Sequence, residues 1–185
     1  IEIMTKLIQW QEIGNSRVIL RLDLNVPLKD NTVESDFRIS KSLPVITELL
    51  SRNNQLIILS HLGRPSVEKP EPSLSLRVVC EHLSKMLHEP IKFVDQITDQ
   101  ITFGEYKIIM FENMRFFKGE VDNDPELAKV ISSHGDFFVF DAFGVSHRQE
   151  SSTTGLMNFL DYAAGPLIQS EVSAAKNILE DPKKP

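Results

Sequence analysis

Five short apolar runs alternate with helix-type stripes along the chain. The runs are Arg17–Leu24, Gln55–Ser60, Ile91–Val94, Lys107–Phe111 and Phe137–Asp141. Strands alternating with helices are the mark of a parallel sheet covered on both faces. The runs are nearly continuous in apolar residues, as strands buried on both sides require. Between them, Ile39, Leu43, Ile46 and Leu50 share one helical face, and Leu76, Cys80, Leu83 and Leu87 share another. Pro44 interrupts the first stripe and predicts a kink or a late helix start. Asp124-Pro125 offers an N-cap and a first-turn proline to a helix carrying Leu127, Val130 and Ile131. A last helical stretch runs from about Leu167 to Leu179 and stops before Pro182. The expected fold class is α/β, a parallel sheet with helices on both faces in one domain.

Composition narrows the function classes. With 185 residues, 41% of them hydrophobic, a domain of this size buries roughly 70% of its unfolded surface and needs no staples. Charged residues are 25%, with Gly 8 and Pro 10, which excludes disorder and fibrous repeats. Lys+Arg 20 against Asp+Glu 26 gives a net charge of −6. Such a chain is a poor bulk binder of nucleic acid, though it can hold a local basic pocket. Cys80 is the only cysteine, so there is no disulfide framework and no cysteine zinc site, which fits a reducing compartment. No apolar run approaches the roughly 20 residues that span a bilayer. The opening residues lack a signal-peptide core. Ile1 is not a translation start, so Met4 is the expected start and residues 1–3 a cloning remnant. Ser66 to Pro72 reads as a polar loop and Lys183 to Pro185 as a linker.

Four of the strands run straight into polar clusters. Asp23, Asn25 and Pro27 follow the first. Ser60-His-Leu-Gly-Arg-Pro65 follows the second, Glu112-Asn-Met-Arg115 the fourth, and Asp141-Ala-Phe-Gly-Val-Ser-His-Arg148 the fifth. In open α/β sheets, ligands bind beyond the carboxyl ends of the strands. If the strands are parallel, His61, Arg64, Arg115, His147 and Arg148 converge on one rim, joined by Arg38 from the first helix. A guanidinium grips phosphate or carboxylate oxygens two at a time. Several of them on one edge of an acidic protein imply a small polyanion. Asp23 and Asn25 add an acceptor and an amide suited to a hydroxyl and a carboxylate. Gly63 and Gly144 let backbone approach the ligand. Taken alone, each arginine is more often a solvated surface residue; together the four clusters favour a site. His82, His88 and His134 read as surface residues, Cys80 as core, Phe137, Phe138 and Phe140 as core strand, and Asp141 as a residue that only caps a loop. No Gly-x-Gly-x-x-Gly follows a strand and no Walker loop is present, which disfavours a nucleotide site of those types. These residues point to a ligand class and to no reaction.

The same stretches carry a resemblance. Arg21-Leu-Asp-Leu-Asn-Val-Pro27, Ser60-His-Leu-Gly-Arg-Pro65, Glu112-Asn-Met-Arg-Phe116 and Asp141 to Arg148 resemble the N-terminal domain of the phosphoglycerate kinase family, in order and in spacing. The likeness runs from about Met4 to Pro185. It implies a Rossmann-like three-layer domain over residues 4–165 and an interdomain helix and linker over 166–185. It implies a second domain, absent here, that holds MgATP or MgADP. The substrate-binding residues carried over are Asp23, Asn25, Arg38, His61, Arg64, Arg115 and Arg148. Arg38 is the catalytic arginine among them. The implied ligands are 3-phosphoglycerate and 1,3-bisphosphoglycerate, bound by a cytoplasmic monomer that contacts neither nucleic acid nor membrane. No cofactor or metal site is expected in this chain. Glu150 departs from the family, which usually has a histidine there, and is expected near Arg148. Two other readings stay open: a binding module that senses phosphorylated acids, and an interaction domain with a relic site.

Overall fold

A computed structural model describes residues 4–98 and 100–180. Its strands are β1 (Arg17–Leu22), β2 (Leu28–Lys29), β3 (Thr32–Val33), β4 (Gln55–Leu59), β5 (Ile91–Val94), β6 (Ile108–Phe111), β7 (Phe137–Asp141) and β8 (Asp161–Ala164). Its α-helices are α1 (Phe37–Ser51), α2 (Arg77–Leu87), α3 (Pro125–Ser132) and α4 (Pro166–Glu180). Six strands form one sheet in the order β5-β6-β4-β1-β7-β8, and every pairing in it is parallel. β1 lies in the interior of the sheet because Val18, Ile19, Leu20 and Leu22 are apolar on both faces and fully buried. One core layer joins Val18, Leu20 and Leu22 to Ile39 and Ile46 of α1 and Val79 and Leu83 of α2. The other joins Ile19, Ile57, Phe111 and Phe138 to Ile131 of α3. The result is the expected sandwich of a parallel sheet between helical layers.

Several boundaries differ from expectation, each for a local reason. β1 ends two residues early, because Asp23 Oδ1 accepts the Asn25 N–H at 3.2 Å and turns the chain. α1 begins at Phe37 and passes through Pro44, so there is no late start. Buried Ile39, Val45, Ile46 and Leu49 hold it against the sheet on both sides of the proline. The Asp124 cap forms as expected: its side chain accepts the Glu126 N–H at 3.0 Å, a contact worth about 1 kcal/mol. His134 is buried, not at the surface. Its Nε2–H donates to the Thr98 carbonyl at 2.6 Å, and its ring meets Phe111 edge-on. Phe138 and Phe140 are core and Phe137 is half-buried. Cys80 is buried, and burial pushes its thiol up to about 12, so it is inert. β8 and the β2–β3 hairpin were not foreseen. The linker reading of Lys183 to Pro185 and the remnant reading of residues 1–3 fall outside the described residues.

Candidate functional site

In this topology β1 connects through α1 to β4 on one side, while β7 lies on the other side and leads to β8. The connections diverge there, and a crevice opens at the carboxyl ends of the strands. It holds a cleft of about 280 Å³ lined by Asp23, Asn25, Arg38, His61, Gly63, Arg64, Arg115, Gly144, Val145 and Arg148. All seven expected side chains lie in this one place. Their contributors are the turn after β1, the N-terminus of α1, and the segments after β4, β6 and β7. His147 is exposed and does not line the cleft, so the expected convergence lacks that histidine.

The loops are tied down by side-chain hydrogen bonds. Ser60 Oγ accepts the Leu24 N–H at 2.9 Å, and Asn25 Oδ1 accepts the Gly63 N–H at 3.0 Å. Asn113 Nδ2 donates to the carbonyls of Leu62 and Leu74 at 2.8 and 2.9 Å. Glu112 accepts from Ser75 Oγ at 2.6 Å and from the Leu76 N–H at 2.8 Å. Glu112 and Asn113 therefore hold the 62–76 segment in place, while Arg115 beside them reaches the cleft. Gly144 is needed for space: a Cβ there falls 2.7 Å from Asp23 Oδ2.

The charge balance is lopsided. Four arginines face one carboxylate. Arg38 Nη1 grips both oxygens of Asp23, at 2.9 and 2.7 Å. Among the described residues, the Arg64 and Arg148 side chains form no ion pair. Arg115 is 6% exposed. Its Nη1 donates to the Gly63 carbonyl at 3.0 Å and its Nη2 to Glu150 Oε1 at 3.2 Å, while Nε is buried without a partner. Burial and the charges of Arg21, Arg115, Arg148 and Arg38 push His61 down to about 3, so the ring is neutral near pH 7.

Behind the cleft sits a polar network that the sequence reading missed. Arg21 is fully buried. Its Nε donates to Ser152 Oγ at 3.0 Å, its Nη1 to the Leu22 carbonyl at 2.7 Å, and its Nη2 lies 3.3 Å from His61 Nδ1. Ser152 in turn bonds Glu120 through both its hydroxyl and its N–H. Glu150 was expected near Arg148. Instead its carboxylate pairs with Arg115 and lies 4.0 Å from Arg21. The backbone explains the difference: the Glu150 N–H donates to Thr153 Oγ1 at 2.9 Å, at the start of a single wide turn over Ser151–Gly155. The available signal was an arginine between Leu20 and Leu22 in an apolar strand, since such a charge must be paired inside.

Asp141 caps a helix, not a loop. Its Oδ1 accepts the N–H groups of Leu167 and Ile168 at 2.8 and 3.3 Å, at the start of α4. Its Oδ2 has no partner, and burial pushes the carboxyl up to about 6. Beyond that first turn, residues 170–176 of α4 are exposed.

Comparison with known proteins fits this geometry. A family model described as phosphoglycerate kinase matches residues 8–185. A phosphoglycerate kinase of Legionella pneumophila (strain Corby) is 41% identical over 175 residues, covering 94% of this chain and 44% of the relative. One from Francisella philomiragia is 39% identical over the same share of this chain. The solved structure of phosphoglycerate kinase from Coxiella burnetii superposes with a TM-score of 0.88 at 39% identity, covering 97% of this chain and 46% of the other. The enzyme from Pyrococcus horikoshii OT3 superposes at 0.78 with 27% identity. The chain spans about half the length of the relatives it matches.

Proposed function

Because the chain belongs to the phosphoglycerate kinase family, we propose that its cleft binds 3-phosphoglycerate or 1,3-bisphosphoglycerate for reversible phosphoryl transfer with ADP in glycolysis. The observation that carries this reading is the excess of guanidinium over carboxylate in one small cleft. Its volume of about 280 Å³ lies just below the usual range of ligand pockets, roughly 300–1,000 Å³. That suits a three-carbon anion. Arg64, Arg115, Arg148 and neutral His61 take the phosphate far from the reacting end. Each charge-assisted hydrogen bond there is worth about 1.5–3 kcal/mol. Asp23 and Asn25 take the hydroxyl and carboxylate.

Arg38 is the catalytic arginine of this reading. Asp23 pairs with it at 2.7 Å, and its side chain is 50% exposed, so it can turn toward a ligand. Phosphoryl transfer passes through a loose transition state with charge spread over the equatorial oxygens. An arginine at that point stabilises the developing charge, and no covalent intermediate with the protein is needed.

The cleft lining does not suit a magnesium-bound nucleotide. Asp23 is the only carboxylate lining the cleft and is engaged by Arg38, and among the described residues no cluster of three His, Cys, Asp or Glu is placed to hold a metal ion. The reading therefore assigns the nucleotide to the part of the relatives' length that this chain does not cover. α4 serves as the interdomain helix, with closure bringing the two substrates together. The whole enzyme is a cytoplasmic monomer in this reading. Among the described residues no helix is long and apolar enough to cross a membrane.

Two measurements test the reading. Calorimetry with 3-phosphoglycerate should show weak, saturable binding by this chain. A coupled assay should show no phosphoryl transfer. Robust turnover by the chain alone, or no heat at millimolar ligand, contradicts it.

A further inference from the structure

Arg21 is the largest fully buried side chain among the described residues, and it does not line the cleft. A charge in the middle of an interior strand costs stability unless something gains from it. Glu150 and Glu120 offset the charge, although burial pushes the Glu120 carboxyl up to about 7, and Ser152 Oγ accepts from the guanidinium Nε. What the guanidinium reaches on its remaining side is His61. Arginine can only donate. At 3.3 Å from Arg21 Nη2, His61 Nδ1 must therefore be the nitrogen with the free lone pair, and the ring proton must sit on Nε2. Among the described residues Nε2 has no hydrogen-bond partner, and His61 itself lines the cleft.

We propose that Arg21 is a positioning residue that locks His61 in the Nε2–H tautomer, with Ser152 and Glu120 behind it, so that His61 offers the cleft a fixed neutral donor. The groups facing His61 are Arg21 from β1, Arg38 from α1, Arg115 from the segment after β6 and Arg148 from the segment after β7. All four are cations, and all oppose an imidazolium. An ordinary histidine gains a proton near pH 6.5 and changes its grip on an anion. This one keeps the same hydrogen bond from pH 5 to 8. The consequence for ligand binding rests on the proposed anion site; the tautomer does not.

Long-range nitrogen–proton correlation NMR of the histidine rings in the ligand-free, full chain tests the proposal. His61 should show one pyrrole-like nitrogen, Nε2, and one pyridine-like nitrogen, Nδ1, unchanged from pH 8 to 5. Arg21→Met should mix the tautomers and move the His61 titration from about 3 toward 6.5. Arg21→Lys, which restores a buried donor, should bring the single tautomer back. An Nδ1–H ring in the wild type, an imidazolium at pH 6, or an Arg21→Met chain that folds with an unchanged His61 signature overturns the proposal. If Arg21→Met does not fold, Ser152→Ala decides. It removes the Nε anchor together with the hydroxyl's bond to Glu120, so exchange broadening of the His61 ring signals supports the lock, and signals identical to wild type overturn it. Adding 3-phosphoglycerate separates the two claims. A locked tautomer with no ligand response sinks the ligand and leaves the role of Arg21 standing.

Discussion

The two rims of the sheet both carry polar cavities, and the larger one is at the strand N-termini. It measures about 730 Å³ and includes Asn15, Arg17, Asn53, Asn54, Lys107 and Asp136. There every charge has a partner. Arg17 pairs with Asp136 at 3.0 Å and Lys107 with Glu89 at 3.3 Å. Its asparagines are engaged too: Asn54 Nδ2 donates to the carbonyls of Ile13 and Leu49, and Asn53 donates to Asn15. At the opposite rim the cleft is less than half that size, yet among the described residues Arg64 and Arg148 have no counter-ion. Unsatisfied charge, not volume, distinguishes the site from the surface dent.

The largest break in this comparison is expected at Arg115. Arg115→Ala leaves Glu150 buried with Arg21 4.0 Å away as its remaining ion-pair partner, and losing one member of a buried pair costs about 3–5 kcal/mol of stability. It should also weaken 3-phosphoglycerate roughly 10- to 150-fold, from the loss of a charge-assisted bond worth about 1.5–3 kcal/mol. Adding Glu150→Gln should restore much of the stability and none of the affinity. Urea melts and calorimetry on both variants read the two effects separately.

Arg64 sharpens the contrast. It is exposed and, among the described residues, in no ion pair, so Arg64→Ala should leave stability within about 0.5 kcal/mol while affinity falls by about tenfold. A destabilised variant with unchanged affinity would place Arg64 in the fold and not in the site.

Acidity separates the rim from its supports. His61 is held down near 3 against about 6.5 when unfolded. The unfolded chain therefore binds its proton first, and stability falls as pH drops from 6.5 toward 3. Asp141 is pushed up to about 6 from 3.8. The unfolded chain loses that proton first, so stability falls as pH rises from 3.8 through 6. The two slopes oppose each other between pH 4 and 6. Relative to Asp141→Asn, the wild type should lose stability as pH rises through that window. Relative to His61→Gln, it should lose stability as pH falls. Chemical denaturation at several pH values checks both signs.

The smallest effect belongs to the other rim. Arg17 and Asp136 are about half exposed, so Arg17→Ala should cost under about 1 kcal/mol and leave ligand binding untouched.

The sheet was legible because period and burial agree: Val18 to Leu22, apolar but for Arg21, and Phe137 to Phe140 are short runs that read as interior strands. β8 was not legible, since Asp-Tyr-Ala-Ala is short, half-buried and lies at a sheet edge. The β2–β3 hairpin rests on two-residue strands joined by Asp30 and Asn31 at positive φ, a turn with no glycine to mark it. Most cleft residues were legible because they lie in the segments that follow a strand, with Arg38 at the start of the first helix. Their support was not. Glu120 stands far from Arg21 in sequence, and only the wide turn at Ser151–Gly155 brings Ser152 between them. His134 was misread because a lone histidine after a helix gives no sign that the Thr98 carbonyl waits for it.

The direct test of the account is a titration of the labelled chain with 3-phosphoglycerate, followed through arginine side-chain signals. Saturable shifts at Arg64, Arg115 and Arg148, with Arg17 silent, are the predicted result. Equal shifts at both rims, or none at the three cleft arginines at millimolar ligand, would contradict it.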